Sequence, residues 1–498
     1  RRALRIKPDF AAAHTNLGNV LRKQGLMGES LEHHREALRI NPEFVEAHSN
    51  LGITLNKLGR IDDALASLHR ALEIDPSLFV AHSNLIFIQD FCSKIGVAEQ
   101  QAERKRWNER FMSPLAEKIK PHANSRDPDR RIRIGYVSAD FKRHSACFAF
   151  APLILDHDQE HFDIFCYDGN TVADLMTERL RSAATGWRSS AGLSDDALAD
   201  RIREDSIDIL VDLSGHSMGN RLLVFGQKPA PLQVTGIGHS PPGSPTIDYR
   251  LTSELHSPPA EEHLYPEKAV YLNVAMGFLP PQESPLVGPG PGAENGDFIF
   301  GSFNRLEKIS NEALNLWAGI LRDVPKSRLL MKSSGLEVRA ARERYEDLFS
   351  DLGILPERLI LLGGTSQREH LETHDRVEIS LDTFPYGGGV TTLESLWMGV
   401  PVLGLCDYSK HVNRAIKGLC DPLDLGNWVT ESLDEYHQTA VDWTSKREAL
   451  ADLRQGLRDR VAEVYFRFPL EVEKSYRVMW ARWCAGESPT AIDISNGA

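Results

Sequence analysis

The sequence predicts an α-helical superhelix of short repeats followed by two α/β lobes, each built on a parallel sheet. Three observations predict it. The stretches that begin at Phe10 and at Phe44 repeat with a period of 34 residues. Strand-like apolar runs then alternate with helical stretches, in two separate blocks. Polar segments rich in Pro and Gly separate the blocks. With 498 residues and 41% apolar content, the chain has material for about three cores. The predicted divisions are 1–120, 121–290 and 291–498.

In the first block, "FAAAHTNLGNVLRKQGLMGESLEHHREALRINPE" from Phe10 aligns with "FVEAHSNLGITLNKLGRIDDALASLHRALEIDPS" from Phe44, and a further copy opens with "LFVAHSNL" at Leu78. Ala13, Leu17 and Val20 recur as Ala47, Leu51 and Thr54, while Pro8, Pro42 and Pro76 mark turns between units. Such helices bury their apolar faces only by stacking. The pattern resembles the tetratricopeptide repeat. The opening "RRALRIKPDF" matches "REALRINPEF", so residue 1 is expected inside the second helix of an earlier repeat. Asn16, Asn50 and Asn84 recur on the first helix of each unit, the one that lines the concave surface in this architecture. Their amides either clamp a partner's peptide backbone through one donor and one acceptor or are interfacial residues of the repeat.

"PHANSRDPDR" follows as a linker, and then strand-like runs begin at 131–138, 162–168, 207–214 and 232–238. The segment "PPQESPLVGPGPGAENG" from Pro280 is a second linker, and the next runs lie at 297–304, 327–332, 358–364, 378–384 and 401–406. Alternation with helices makes both blocks parallel, Rossmann-like lobes. Two such lobes suggest the GT-B architecture of glycosyltransferases, with ligands beyond the carboxyl ends of the strands.

A net charge of −13 argues against nucleic acid or an anionic membrane surface as partner. Six scattered cysteines without a C-x-x-C pair fit reduced thiols, no apolar run is long enough for a membrane span, and the start lacks a signal-peptide pattern. The expected compartment is the cytoplasm.

Three stretches carry candidate chemistry. In "LDTFPYGGGVTTLESLWMGVPV", Leu381 to Val402, a strand gives way to glycines and to a helix opening at Val390. This is an anion site suited to a diphosphate, or else a tight connection. Gly389, Val390, Thr391 and Thr392 form its start, and Glu394 one turn in can accept from ribose hydroxyls. In "GSFNRLEKIS", Lys308 follows a strand, where an ammonium either neutralises a departing phosphate or is simply solvated. In "GYVSADFKRHS", Asp140 and His144 follow the first strand of the first lobe, and His144 is suited to acid–base work or to capping a helix.

Taken in order, the 34-residue repeats, "GYVSADF", "IDILVDLSGHSMGNR", "KPAPLQVTGIG", "IDYRLTS", "GSFNRLEKI" and "ISLDTFPYGGGVTTLESLWMGVP" resemble the O-GlcNAc transferases and their SPINDLY relatives over essentially the whole chain. The resemblance implies a protein O-glycosyltransferase that transfers GlcNAc from UDP-GlcNAc to Ser or Thr hydroxyls with inversion, without metal or other cofactor. The acceptor polypeptide would lie along the concave face of the repeats. It implies that Lys308 contacts the diphosphate together with the turn at Gly389 to Thr392, that Glu394 takes the ribose, and that His370 with the backbone of Gly364 and Thr365 lies at the nucleobase. Asn304, Arg305 and Gly238 are placed with the substrate, Arg221 near the acceptor side, and Asp140 and His144 in the active site. Arg305 stands where animal O-GlcNAc transferases carry Gln, Glu307 where they carry Tyr, and Met218 where they carry Lys. Cys92 lies near the place of a His. The short second linker is closer to SPINDLY, whose plant members use GDP-fucose, so a fucosyltransferase is the alternative. A repeat scaffold that binds nucleotide without catalysis is a second alternative.

GHSMG within Asp212 to Arg221 also matches the G-x-S-x-G nucleophile elbow of α/β-hydrolases. No Gly-rich oxyanion motif precedes it, and a hydrolase leaves the repeats and the second lobe unexplained. Ser217 is therefore expected on a strand-to-loop turn.

Overall fold

The structure, a computed structural model, describes residues 2–291 and 296–495. The first residue of the opening repeat match, four residues of the second linker (292–295) and the last three of the third predicted span lie outside the described residues. Helices α1 (Arg2–Ile6), α2 (Ala11–Lys23), α3 (Met27–Ile40), α4 (Val45–Lys57), α5 (Ile61–Ile74) and α6 (Phe79–Gln89) realise the 34-residue period. Leu51 and Leu55 of α4, Leu65 and Leu68 of α5, and Leu85 and Ile88 of α6 share one core. Helices in a pair approach closely where the first carries glycine. A Cβ at Gly52 would stand 2.7 Å from Leu68 Cγ, and one at Gly18 would stand 2.6 Å from the His34 ring. Gly25 and Gly59, at φ of +78° and +71°, turn the chain from the first helix of each pair into the second.

The first sheet consists of β1 (Ile132–Ser138), β2 (Phe162–Asp168), β3 (Gly186–Ser189), β4 (Ile209–Asp212), β5 (Leu232–Thr235), β6 (Tyr249–Thr252) and β7 (Lys268–Tyr271). The second consists of β8 (Phe298–Ser302), β9 (Ser327–Lys332), β10 (Leu359–Leu362), β11 (Ile379–Leu381), β12 (Val402–Leu405) and β13 (Val429–Thr430). β14 (Ile492–Asp493) returns to pair with β7, so the orders are β3-β2-β1-β4-β5-β6-β7-β14 and β10-β9-β8-β11-β12-β13. All pairings are parallel. β4, β5 and β6 are buried throughout, as strands covered on both faces must be. In each sheet the strand order reverses once, between β1 and β4 and between β8 and β11. Crevices outside the carboxyl ends at such reversals hold ligands in doubly wound sheets.

The chain forms two compact units: residues 2–95, 283–407 and 427–458, with the repeats and the second sheet, and residues 96–282, 408–426 and 459–495, with the first sheet. These differ from the three consecutive spans read from the sequence. Helix α7 (Val97–Phe111) falls in the first-sheet unit because Trp107 is fully buried edge-on to His216 and the Asn108 amide donates to Gly243 O at 2.5 Å. The helix Phe468–Ala485 and β14 belong to the same unit. Glu473 on that helix meets His157 Nδ1 at 2.9 Å, and His157 Nε2 lies 2.7 Å from Tyr136 OH on β1. The six cysteines are free thiols and five are buried, with burial pushing Cys147 up to about 12. No described helix is long and apolar enough to cross a membrane.

Candidate functional site

At the β8/β11 reversal, two of the expected stretches become one hydrogen-bonded arrangement. The loop after β8 ends in the turn Leu306–Lys308, and the half-buried Lys308 donates from Nζ to Gly387 O at 2.6 Å, 4.2 Å from the centre of the Tyr386 ring. Burial and then the neighbouring Arg305 push its ammonium down to about 7, against the carboxylates of Asp382 and Glu307. Asp382, directly after β11, is 2% exposed. It accepts from the amides of Thr383 and Gly388 and from Asn304 Nδ2 at 2.9 Å. Burial raises its pKa, while Lys308 and these donors work the other way. Asn304 Oδ1 in turn accepts from Thr391 Oγ1 at 3.0 Å.

The helix Val390–Trp397 starts at Gly389 without a side-chain cap, so its first-turn amides are left to solvent or to a ligand. The Thr392 hydroxyl beside them is buried and unpartnered. A Cβ on Gly388 would stand 2.2 Å from that hydroxyl, so the turn is a cradle that any other residue would fill. Further along the helix, Glu394 Oε2 lies 3.7 Å from His370 Nε2. The His370 ring stands edge-on to Phe303, which stacks on His374 with centroids 3.8 Å apart. Burial, and then His370, hold His374 well below the usual imidazole range. His370 lies in the helix Gln367–Glu372 and His374 in the turn that follows it, in the connection from β10 to β11. Of the two residues expected at the nucleobase edge, Gly364 uses its amide on Glu337 Oε1 at 3.1 Å, and Thr365 Oγ1 receives Lys332 Nζ at 2.9 Å. Arg305 is exposed, 3.5 Å from Glu307.

The β1/β4 reversal carries Asp140, His144, Ser217 and Arg221. His144 caps the helix Ser145–Phe150, its Nδ1 accepting from Ala146 N at 3.3 Å and standing 3.6 Å from Asp140 Oδ2. Asp140 is also 3.8 Å from Lys142. In the GHSMG stretch, Ser217 sits on a turn in which Asn220 N donates to its carbonyl, and the next helix, Leu222–Gly226, begins only five residues later. An elbow requires the helix to start at the serine. Arg221 has a local task rather than an outward one. Its guanidinium is spent on Asp195 Oδ1 at 2.7 Å and on the carbonyls of Ser190 and Leu193. Gly238 follows β5 at φ +71° and is exposed. Of the repeat asparagines, Asn16 is exposed, Asn50 donates back to Glu46 O at 2.7 Å, and Asn84 buries an unpartnered Nδ2.

Two residues at these sites were not singled out from the sequence. Tyr386, under Lys308, sits inside the glycine-rich motif, and its place before Gly387 was the available signal. His239, with Nε2 3.9 Å from the Asp212 carboxylate, follows Gly238 with no pattern to mark it. Among the described residues no group of three or more His, Cys, Asp or Glu side chains is close enough to hold a metal ion.

Tetratricopeptide-type helices, two parallel α/β sheets and a glycine-rich turn at a strand-order reversal define a repeat protein with the two-lobed GT-B-like fold of glycosyltransferases. The model of glycosyl transferase family 41 matches residues 76–279 and 292–472, and a tetratricopeptide repeat model matches residues 9–77. The chain belongs to glycosyl transferase family 41. It is 36% identical over 399 residues to the probable UDP-N-acetylglucosamine–peptide N-acetylglucosaminyltransferase SPINDLY of Petunia hybrida, covering 77% of this chain and 42% of that one. It is 32% identical over 386 residues to the probable enzyme SEC of Arabidopsis thaliana, covering 73% of this chain and 39% of that one. The chain thus spans about two fifths of the length of these curated relatives. Among solved structures it resembles a point mutant of the Thermobaculum terrenum O-GlcNAc transferase, with a TM-score of 0.90 and 33% identity over 97% of this chain and 93% of that one.

Proposed function

We propose that the chain is an inverting protein O-glycosyltransferase that takes GlcNAc from UDP-GlcNAc to Ser or Thr hydroxyls of polypeptides held by the repeats. One observation carries the reading: Lys308, the unsatisfied amides at Gly389 to Thr392 and the orphaned Thr392 hydroxyl converge where the second sheet reverses its strand order. Such a set suits a diphosphate, and the names of the relatives supply the sugar and the peptide acceptor.

In this reading Glu394 accepts from the ribose, His370 lies beside the base, and Asn304 fixes Thr391 in the cradle. The acceptor oxygen forms its bond to the anomeric carbon as the bond from that carbon to the diphosphate breaks. Lys308 and the helix amides stabilise the charge left on the diphosphate. The acceptor proton passes to a base in the first lobe, for which Asp140 and His144 are the proposed groups. His144 Nδ1 already accepts from Ala146 N, so the Asp140 carboxylate is the freer of the two acceptors. No metal has a role here. The positive charge comes from Lys308 and the helix start, and Asp382 is occupied by Gly388, Thr383 and Asn304. The proposed compartment is the cytoplasm, which keeps the six thiols reduced.

Transfer of fucose from GDP-fucose is the second reading, favoured by the short second linker. Isothermal titration with UDP and GDP, followed by mass spectrometry of a lysate incubated with each sugar donor, tests both. Heat with a nucleotide but no transfer from either donor would leave a repeat scaffold that binds nucleotide without catalysis.

A further inference from the structure

The turn after the first helix of each repeat touches a loop of the second sheet. At Gly25 a Cβ would stand 3.0 Å from Val338, in the loop after β9. One period later, Lys57 Nζ meets Glu307 Oε1 at 2.5 Å, and a Cβ at Gly59 would stand 3.9 Å from Ile309 O, both in the loop after β8. After α6, the Phe91 ring stacks on Tyr386 in the loop after β11, with centroids 4.7 Å apart and planes at 23°. β9, β8 and β11 are neighbours in the sheet, in the same order as the repeats.

Two of these contacts reach the immediate neighbours of Lys308. Glu307 precedes it on a turn of three residues, and Tyr386 lies under its ammonium. The Glu307 side chain is only 9% exposed. Burial works to raise its pKa, but Arg305 and Lys57 outweigh this and hold it below the usual carboxylate range. Without Lys57 that buried carboxylate loses its hydrogen-bonded cation and keeps the exposed Arg305, 3.5 Å away, and the charge of Lys308 itself. A buried charge that loses a partner reorients or takes up a proton, and either would move the turn that carries Lys308.

We propose that the repeat turns brace the loops of the donor site, and that Lys57 and Phe91 are positioning residues for Lys308. The inference rests on the proposed function, because it assigns Lys308 to a diphosphate.

The test is isothermal titration of the whole chain with UDP and GDP, with the thermal midpoint of each variant measured alongside. Lys57→Met and Phe91→Leu are expected to weaken binding of the preferred nucleotide roughly three- to thirtyfold. Lys57→Arg restores it, and Lys94→Met, which removes an exposed ion pair to Asp62 within the repeats, leaves it unchanged. Wild-type affinity in both Lys57→Met and Phe91→Leu overturns the inference and leaves the proposed function standing. So does a loss in Lys57→Met that Lys57→Arg shares together with a lowered midpoint, which marks a general structural effect. A wild-type protein that binds neither nucleotide overturns the proposed function, and the inference falls with it.

Discussion

The backbone amide of Gly388 donates to both carboxylate oxygens of Asp382, at 2.8 Å and 3.0 Å. The acidic residue of this motif therefore shapes the glycine turn and leaves the outward amides at the helix start for a ligand. Gly388→Ala should push a methyl group against the Thr392 hydroxyl and the Asp382 carboxylate. The expected cost is about 1–3 kcal/mol of stability, together with loss of nucleoside diphosphate binding. Thermal unfolding and titration of the same sample check it, and unchanged binding would remove the cradle from the site.

Lys308→Ala is expected to abolish transfer while the protein stays folded. A preorganised charge on the leaving group contributes about 3 kcal/mol or more to the barrier, which is over a hundredfold in rate. Circular dichroism and a transfer assay on one preparation decide it, since full turnover in a folded variant would free Lys308 of the role.

Lys308 also sets a pH dependence. Its ammonium is pushed down to about 7 in the ligand-free protein, so above that pH the lysine is largely neutral and a diphosphate must bring a proton with it. Nucleotide affinity should fall as pH rises through this value, by at most about tenfold per pH unit. Binding above it should be accompanied by proton uptake, read from titrations in buffers of different ionisation enthalpy. The same shift has an opposite sign for folding. The unfolded chain binds the extra proton between about 7 and its own lysine value, so stability of the ligand-free protein rises with pH across that window. Lys308→Met should remove both effects.

Ser217→Ala should leave transfer nearly intact, because Ser217 sits on a turn with no helix starting at it. A fluorophosphonate probe is expected to give no adduct at Ser217, and a labelled Ser217 would reopen the hydrolase reading.

Donor affinity and transfer rate should be alike with excess EDTA and with added magnesium. A loss of more than about tenfold, equal to ~1.4 kcal/mol, would mean that Glu394 or Asp382 holds an ion that bridges the diphosphate.

What was legible in the sequence is what has a local signature. The repeat period gave α2 to α6, apolar runs gave nine of the strands, and the glycine run gave the turn before the helix that carries Thr391, Thr392 and Glu394. Five strands escaped notice: β3, β6, β7, β13 and β14. β13 and β14 have only two residues each, and β3 (GWRS), β6 (YRLT) and β7 (KAVY) include Arg or Lys among their apolar residues, whereas the equally short β4, β5 and β12 sit in longer runs without Arg or Lys. Partners across the fold were also illegible. Arg221 reads as a free cation until its contacts with Asp195, Ser190 and Leu193 are seen, and nothing near Lys57 announces Glu307, 250 residues away. Helix α7 falls within the first predicted span, 1–120, because the helical stretch after the repeats runs on to the linker. The Trp107 contact with His216 that draws it into the other unit is long-range.

The return of the helix Phe468–Ala485 and β14 to the first sheet bears on the order in which a nascent chain can finish folding. Residues through 458 suffice for the repeat-bearing unit, and these emerge from the ribosome first. The unit around β1 has its strands β1 to β7 synthesised before the second sheet, yet it must wait for Tyr476 and Glu473 to close its core, and for Ile492 to cover β7. During that interval β7 is an open sheet edge able to pair with another chain. Ribosome-bound chains halted shortly after residue 458 should therefore be the ones that engage chaperones and aggregate when released.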